Sequence, residues 1–159
     1  MLIVLRGNSG SGKSTIAERL QSELPGRAAI LSQDHFRRVI YHEREQDSLA
    51  HADLLEAAAA HCLGVGQHVI LDGIFNADRY GPMLARVRLM TEDARFYAFD
   101  LSFEETVLRH QTRSRAVDFT ADEMAVWYHG WQPLSFVRER RLAPSETVSD
   151  IVNRVLEDR

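Results

Sequence analysis

Cysteine is nearly absent: Cys62 is the single one in 159 residues, so the chain can close no internal disulfide. It falls in the apolar pattern Leu54, Leu55, Ala58, Ala59, Leu63, which predicts a buried thiol rather than a nucleophile or a metal ligand. Long apolar runs are missing as well. The opening run, Leu2–Leu5, is short, and no later one approaches the ~18 residues of a membrane span. The expectation is a soluble, cytoplasmic protein with no membrane partner. There is no surplus of positive charge either: 19 Lys and Arg against 23 Asp and Glu leave a net charge of -4. General attraction to polyphosphate surfaces is not expected, which disfavours nucleic acid as a partner while leaving room for a local basic cleft. The seven histidines show no spacing that resembles a zinc site. No internal repeat, low-complexity tract or linker breaks the chain. A composition with 45% hydrophobic and 26% charged residues fits one globular domain over residues 1–159 and sets no oligomeric state.

What is present begins at Gly7. The run Gly7-Asn8-Ser9-Gly10-Ser11-Gly12-Lys13-Ser14 matches the pattern G-x-x-x-x-G-K-[ST] at every fixed position. Before it, Leu2-Ile3-Val4-Leu5 suits a buried parallel strand. After it, Ile16, Leu20 and Leu24 recur every four residues, as on one face of a helix that Pro25-Gly26 ends. In such a strand, loop and helix, the backbone of Asn8, Ser9, Gly10, Ser11, Gly12, Lys13, Ser14 and Thr15 curls around a triphosphate at the positive end of the helix dipole. Lys13 would reach the β and γ phosphates, and the Ser14 hydroxyl would ligate Mg2+.

Further strand-like runs at Ala28–Leu31, Val69–Leu71 and Phe96–Leu101 alternate with helical patterns. That rhythm predicts a three-layer α/β fold with a mainly parallel sheet, about five-stranded if a short strand forms around Arg140–Leu142. Asp34 is expected to cap a short helix through Tyr41, and Ser48 to about Leu63 carries an alanine-rich stripe ended by Gly64 and Gly66. Ser102-Phe103-Glu104-Glu105 and Thr120-Ala121-Asp122-Glu123 both fit the capping box. The last helix, near Thr147 to Glu157, puts Val148, Ile151, Val152, Val155 and Leu156 on one face.

Ligands of open α/β sheets bind beyond the carboxyl ends of the strands. After the second strand comes Ser32-Gln33-Asp34-His35-Phe36-Arg37-Arg38. Asp34 is the candidate general base, able to position an acceptor hydroxyl and take its proton. Arg37, one turn later, is expected to point from the same face toward the acceptor or the transferring group, where its planar fork suits phosphate oxygens, whereas Arg38 is read as a surface or ion-pairing residue. Leu71-Asp72-Gly73 closes the third strand, where Asp72 can hold Mg2+ directly or through water and Gly73 leaves space for the ligand; Asp-Gly is equally a common turn pair. Arg79, after Asn76 and Asp78, is a candidate acceptor contact. Arg109, Arg113 and Arg115 leave a helix at the same edge and read as part of a helical lid over about residues 109–130, with Arg113 foremost. Trp127, Tyr128 and Trp131 are expected to pack onto the sheet edge rather than line a pocket. His35 and His42 flank the acceptor helix, and His129 lies among the aromatics. Arg138-Glu139-Arg140-Arg141 reads as a solvated surface.

With these residues in view, nearly the whole chain resembles the compact P-loop small-molecule kinases. That group includes gluconate and shikimate kinases, chloramphenicol phosphotransferase, zeta-toxin-like kinases and the kinase domain of polynucleotide kinase. The opening Arg6-Gly7-Asn8-Ser9-Gly10-Ser11-Gly12-Lys13-Ser14-Thr15 looks most like the zeta-toxin/chloramphenicol phosphotransferase-like subgroup. The resemblance implies ATP as donor, Mg2+ as its ion and a hydroxyl of a small molecule as acceptor. Asp34 matches by position the acid that serves as base in chloramphenicol phosphotransferase and polynucleotide kinase. Asp34-x-x-Arg37 fits the latter's Asp-x-x-Arg pattern. Leu71-Asp72-Gly73 looks like the Leu-Asp-Gly of adenylate kinases without the Phe-Pro-Arg that follows it there, which argues against a nucleoside-monophosphate acceptor. Arg113 falls where related kinases keep a lid arginine. The second acidic strand end of mechanical ATPases, with its neighbouring glutamate, is missing. Two rival readings stand beside this one: a 5′-hydroxyl polynucleotide or RNA kinase, and a nucleotide-binding regulatory module in which Asp34 is only a cap.

Overall fold

Strand β1 (Leu2–Arg6) is buried along its whole length and forms the middle of the sheet. It pairs with β3 (His68–Gly73) on one side and β4 (Ala94–Phe99) on the other. β2 (Ala28–Ser32) lies outside β3, and β5 (Arg140–Leu142) outside β4. All four pairings are parallel, in the order β2-β3-β1-β4-β5. The computed structural model describes residues 1–44, 47–111, 120, 124–126, 128 and 130–158, with the backbone alone at 109–111. The helices are α1 (Lys13–Glu23), α2 (Gln33–His35) running into a π-helical turn (Phe36–Ile40), α3 (Ala50–Gly64), α4 (Ala77–Arg88), α5 (Phe103–Gln111) and α6 (Val148–Glu157). Among the described residues, no helix is long and apolar enough to cross a membrane.

Side chains of a strand alternate between faces, and here both faces are apolar because both are covered. Leu2 and Val4, with Val69, Leu71 and Phe96, meet Leu55 of α3 and Leu84 and Val87 of α4. Ile3 and Leu5, with Ile70 and Tyr97, meet Ile16 and Leu20 of α1 and Ile151, Val152 and Val155 of α6. Each such side chain contributes roughly 1.5–3 kcal/mol by leaving water. The result is the expected three layers, with the sheet wholly parallel and β5 at the predicted Arg140–Leu142.

Several local expectations shift. Asp34 is not a cap: the N-cap position of α2 falls two residues earlier, at Ser32, which makes no side-chain capping bond. The predicted run Phe96–Leu101 begins and ends two residues early, as β4. The box at Ser102 is present, the Ser102 hydroxyl accepting from the Glu105 N–H and the Glu105 carboxylate from the Ser102 N–H. Thr147 caps α6 in a second box, with Asp150. The predicted box at Thr120 reaches into residues 121–123, outside the described residues. Cys62 is half-buried against the α3 side of the core rather than sealed in it.

Within Arg138–Arg141, Arg138 and Arg141 are exposed as the alternating charge suggests, but Glu139 departs from that reading. The Glu139 side chain is 1% exposed and accepts two bonds from Arg6 Nη1, at 2.6 and 2.7 Å. Arg6 also donates from Nε to the Phe75 carbonyl and from Nη2 to the Gln132 carbonyl, both at 3.0 Å, and so ties the loops after β3 and before β5 to the end of β1. Arg140 pairs with Asp158 at 3.0 Å and lies over the Tyr97 ring; Arg141 pairs with Asp100 and lies over Trp131. Glu139→Ala strands the Arg6 guanidinium in a buried site and is expected to cost about 3–5 kcal/mol of stability. Urea unfolding measures it, and a loss below about 1 kcal/mol, the scale of an exposed pair, would show that the pair behaves as a surface contact.

Candidate active site

β1 and β3 are neighbours, yet their connections leave the sheet edge toward opposite faces. The loop after β1 leads into α1, which packs on one layer of the core, and the loop after β3 leads into α4, which packs on the other. A crevice at the carboxyl edge follows from that divergence, and it is where open α/β sheets bind ligands. The predicted phosphate loop occupies this edge. Gly10 and Gly12 have φ of 81° and 107°, a region that a Cβ strongly disfavours, so these two positions require glycine for the loop to curl. Gly7 is required for a different reason: a Cβ there would lie 2.8 Å from Cβ of Phe99. Gly12 stands at the N-cap of α1 and supplies no capping side chain. Lys13 is 8% exposed, and its Nζ donates to the Asn8 carbonyl at 2.8 Å and the Ser11 hydroxyl at 3.3 Å, which holds the ammonium over the loop.

The end of β3 meets this loop through one bond. The exposed Ser14 hydroxyl donates to Oδ2 of Asp72 at 2.8 Å, and Asp72 is 4% exposed. A hydroxyl and a carboxylate side by side at a phosphate loop are hard oxygen donors of the kind Mg2+ takes when phosphates supply its remaining ligands. Among the described residues, no three His, Cys, Asp or Glu side chains gather as a metal site. Gly73 does not make space for a ligand as expected. A Cβ there would lie 2.7 Å from the Phe75 ring and 2.8 Å from Cβ of Gln33, so the space serves packing. Gly73→Ala is expected to cost about 1–3 kcal/mol, read by urea unfolding; a variant as stable as the parent would mean that Phe75 can move aside freely.

Ser32 sits opposite Asp72 in the β2–β3 register, which brings Asp34, two residues on, to the neighbouring strand end. Its carboxylate is 52% exposed, and Oδ1 accepts from Arg37 Nη2 at 2.7 Å and pairs with Arg38 Nε at 2.8 Å. Arg38 is thus an ion-pairing residue, as expected, but it shares the face of Arg37, because positions three and four apart are both neighbours on a helix. Arg37 is 7% exposed and also donates to the Glu43 carbonyl at 3.4 Å. Arg79 Nη2 donates to the Ser48 carbonyl at 2.6 Å. Asn76 caps α4, accepting from the Asp78 and Arg79 N–H groups.

A small, open cleft lies beside the loop, bounded by Asn8, Asn76, Asp100, Trp131 and Gln132. Trp131 thus lines a cavity, whereas the Tyr128 hydroxyl donates to the Leu101 carbonyl and its ring meets Phe103 edge-on. Arg113, Arg115, Trp127 and His129 lie outside the described residues, as do the Arg109 side chain and most of the expected lid. The sequence reading missed Arg6, Glu139, Gln33, Glu43, His51 and Tyr80. Their only local signal is a polar residue inside an otherwise apolar helix or strand pattern, as at Arg6 and His51.

A wholly parallel sheet in this order, with a phosphate loop after its central strand, defines a P-loop α/β fold of the kinase-like topology. Residues 2–128 match the family described as an AAA domain, and the chain belongs to that family. No curated protein matches it. A gluconokinase from Sinorhizobium meliloti 1021 is similar in fold, with 17% identity, a TM-score of 0.65 and coverage of 97% of this chain and 88% of its own. The APS kinase CysC of Mycobacterium tuberculosis aligns with 16% identity and a TM-score of 0.65 over 98% of this chain and 94% of its own. A chain of the Pnkp1/Rnl/Hen1 complex is 28% identical with a TM-score of 0.56, over 68% of this chain and 38% of that one.

Proposed function

We propose that this protein is a kinase that transfers the γ-phosphoryl group of ATP, with Mg2+, to a hydroxyl of a small-molecule acceptor, in the manner of the zeta-toxin/chloramphenicol phosphotransferase-like kinases. The observation that carries the reading is the adjacency, at one sheet edge, of the Ser14–Asp72 pair under the phosphate loop and the Asp34–Arg37 pair one strand away. ATP held with its ion on the loop supplies the phosphoryl group. Backbone N–H groups of residues 8–15 and the Lys13 ammonium hold phosphate oxygens where negative charge accumulates. Ser14 and Asp72 are the oxygen donors for the ion. Asp34 orients the acceptor hydroxyl and takes its proton. Both arginines act on Oδ1, which leaves Oδ2 as the oxygen for that proton. Arg109, Arg113 and Arg115 would neutralise phosphate charge from a closing lid. The kinase folds of the gluconokinase and the APS kinase support the reading, and the acidic balance supports a small acceptor over nucleic acid in the cytoplasm.

A second reading, a 5′-hydroxyl polynucleotide kinase, is favoured by the direct Asp34–Arg37 contact within an Asp-x-x-Arg sequence. ATP consumption against antibiotics, sugars, nucleosides and 5′-hydroxyl oligonucleotides separates the two. A phosphorylated small molecule supports the first and a phosphorylated oligonucleotide the second. ATP binding with no transfer to any of them would leave the non-catalytic regulatory module, although Asp34 does not serve as the cap that this third reading assigned to it.

A further inference from the structure

Asp34 stands on a helix with little means of holding itself in place. α2 is only three residues long, lacks a capping side chain and runs directly into a π-helical turn. So short a segment has marginal stability of its own. What surrounds it is a closed ring of polar contacts. Gln33, next to Asp34 in the chain and 2% exposed, lies with Nε2 2.8 Å from the Tyr80 hydroxyl. The same hydroxyl is 3.0 Å from Nε2 of His51, which is fully buried. His51 Nδ1 is 3.1 Å from the Glu43 carboxylate. The Glu43 carbonyl accepts from Arg37, and Arg37 donates to Asp34. The ring thus leaves Asp34 through its chain neighbour on α2, crosses to α4 and α3, and returns through the segment between α2 and α3.

With His51 neutral, these contacts are met by one arrangement of hydrogens. A carboxylate only accepts, so His51 Nδ1 carries a hydrogen and donates it to Glu43. In the neutral imidazole Nε2 then accepts, which turns the Tyr80 O–H toward it and leaves the Tyr80 oxygen to accept from the Gln33 amide. The Ser48 hydroxyl donates to the other Glu43 oxygen at 2.6 Å. That bond first, and the His51 bond after it, hold the Glu43 carboxyl below its ordinary pKa, in keeping with its role as acceptor. Buried polar side chains are costly unless every partner is in register, so a satisfied ring selects one arrangement of the elements that carry it.

We propose that Glu43, His51, Tyr80 and Gln33 are positioning residues, a relay that locks α2 and so aims the Asp34–Arg37 pair at the acceptor. The inference rests on Asp34 as the base. The lock itself is testable without any acceptor.

Tyr80→Phe is the informative variant. It keeps the ring that packs edge-on against Phe75 at 5.5 Å and deletes the oxygen shared by Gln33 and His51. In the full-length wild type, 15N NMR of the histidine rings is expected to show His51 as the neutral tautomer with its hydrogen on Nδ1. In Tyr80→Phe, amide exchange over residues 33–38 should quicken about 10-fold or more relative to the β1 amides, which report global stability. Binding of a non-hydrolysable MgATP analogue should stay within a few-fold. Where wild type phosphorylates one of the small molecules or oligonucleotides above, kcat for it should fall roughly 10–100-fold, the usual effect of removing a supporting partner. His51→Asn, which keeps a donor near the Nδ1 position, should lose less than His51→Leu. A hydrogen on Nε2 instead of Nδ1, or exchange over residues 33–38 that changes only in step with β1 in both Tyr80→Phe and His51→Leu, would overturn the relay. Failure of wild type to phosphorylate anything would count against the proposed function, and the tautomer and exchange results would still decide the lock.

Discussion

Lys13→Met is expected to weaken nucleotide binding and nearly abolish phosphoryl transfer, by roughly 10²–10³-fold or more, the scale for deleting one donor aimed at developing charge. Lys13 is the one cation of the phosphate loop itself, and its 8% exposure means that the ammonium acts where water screens it little. Met keeps most of the stem, so the loop loses the charge and the bonds to Asn8 and Ser11 while packing is largely retained. Those two bonds together are worth about 1–3 kcal/mol of stability, and urea unfolding alongside the assay separates this from the effect on function. Titration with an ATP analogue and steady-state transfer are the measurements. Unchanged affinity and turnover in a folded variant would remove the nucleotide site from consideration.

Asp34→Asn is expected to lower transfer by roughly 10²–10⁴-fold, the usual contribution of a general base, with nucleotide affinity in the absence of acceptor nearly unchanged. The amide oxygen can still accept from Arg37 and Arg38, so the local contacts persist in shape. Basicity and the negative charge are what is lost. The carboxylate is half exposed and bonded to two guanidinium groups, so the change in stability should stay within about 1 kcal/mol. A parallel loss of nucleotide affinity would merge the roles of Asp34 and Asp72 at the ion. Activity within a few-fold of wild type on the true acceptor would make Asp72 the better candidate for the base.

Asp34 also shows where a sequence reading loses resolution. Its place after the second strand is legible, because an apolar run followed by a polar cluster marks a strand end. As a cap it is displaced by two residues, since both Ser32 and Asp34 are cap-type residues and only the backbone geometry distinguishes them. That Arg38 pairs with a charge is legible; that its partner is the same carboxylate as that of Arg37 is decided by the spacing of four on the folded turn. Gly73 was assigned to the ligand on the strength of its neighbour Asp72. The tight approach of Phe75 and Gln33 that it permits involves a turn and an adjacent helix, neither visible in a strand-end motif.

By itself the sequence determined what is local. The glycines and Lys13 of the phosphate loop, the apolar runs of the strands and the box at Ser102 all depend on residues within a few positions of one another, where backbone geometry relates spacing directly to shape. Only the tertiary structure decided the strand order, and with it every contact that joins distant segments. Ser14 meets Asp72 across 58 positions, His51 meets Tyr80 across 29, and Arg6 meets Glu139 across 133. Each of these polar residues is the same in sequence whether it is solvated or buried. Which it becomes is set when β1 enters the middle of the sheet and the loops at its end close over Arg6, because burial leaves a charged or polar side chain stable only where a partner from another element meets it.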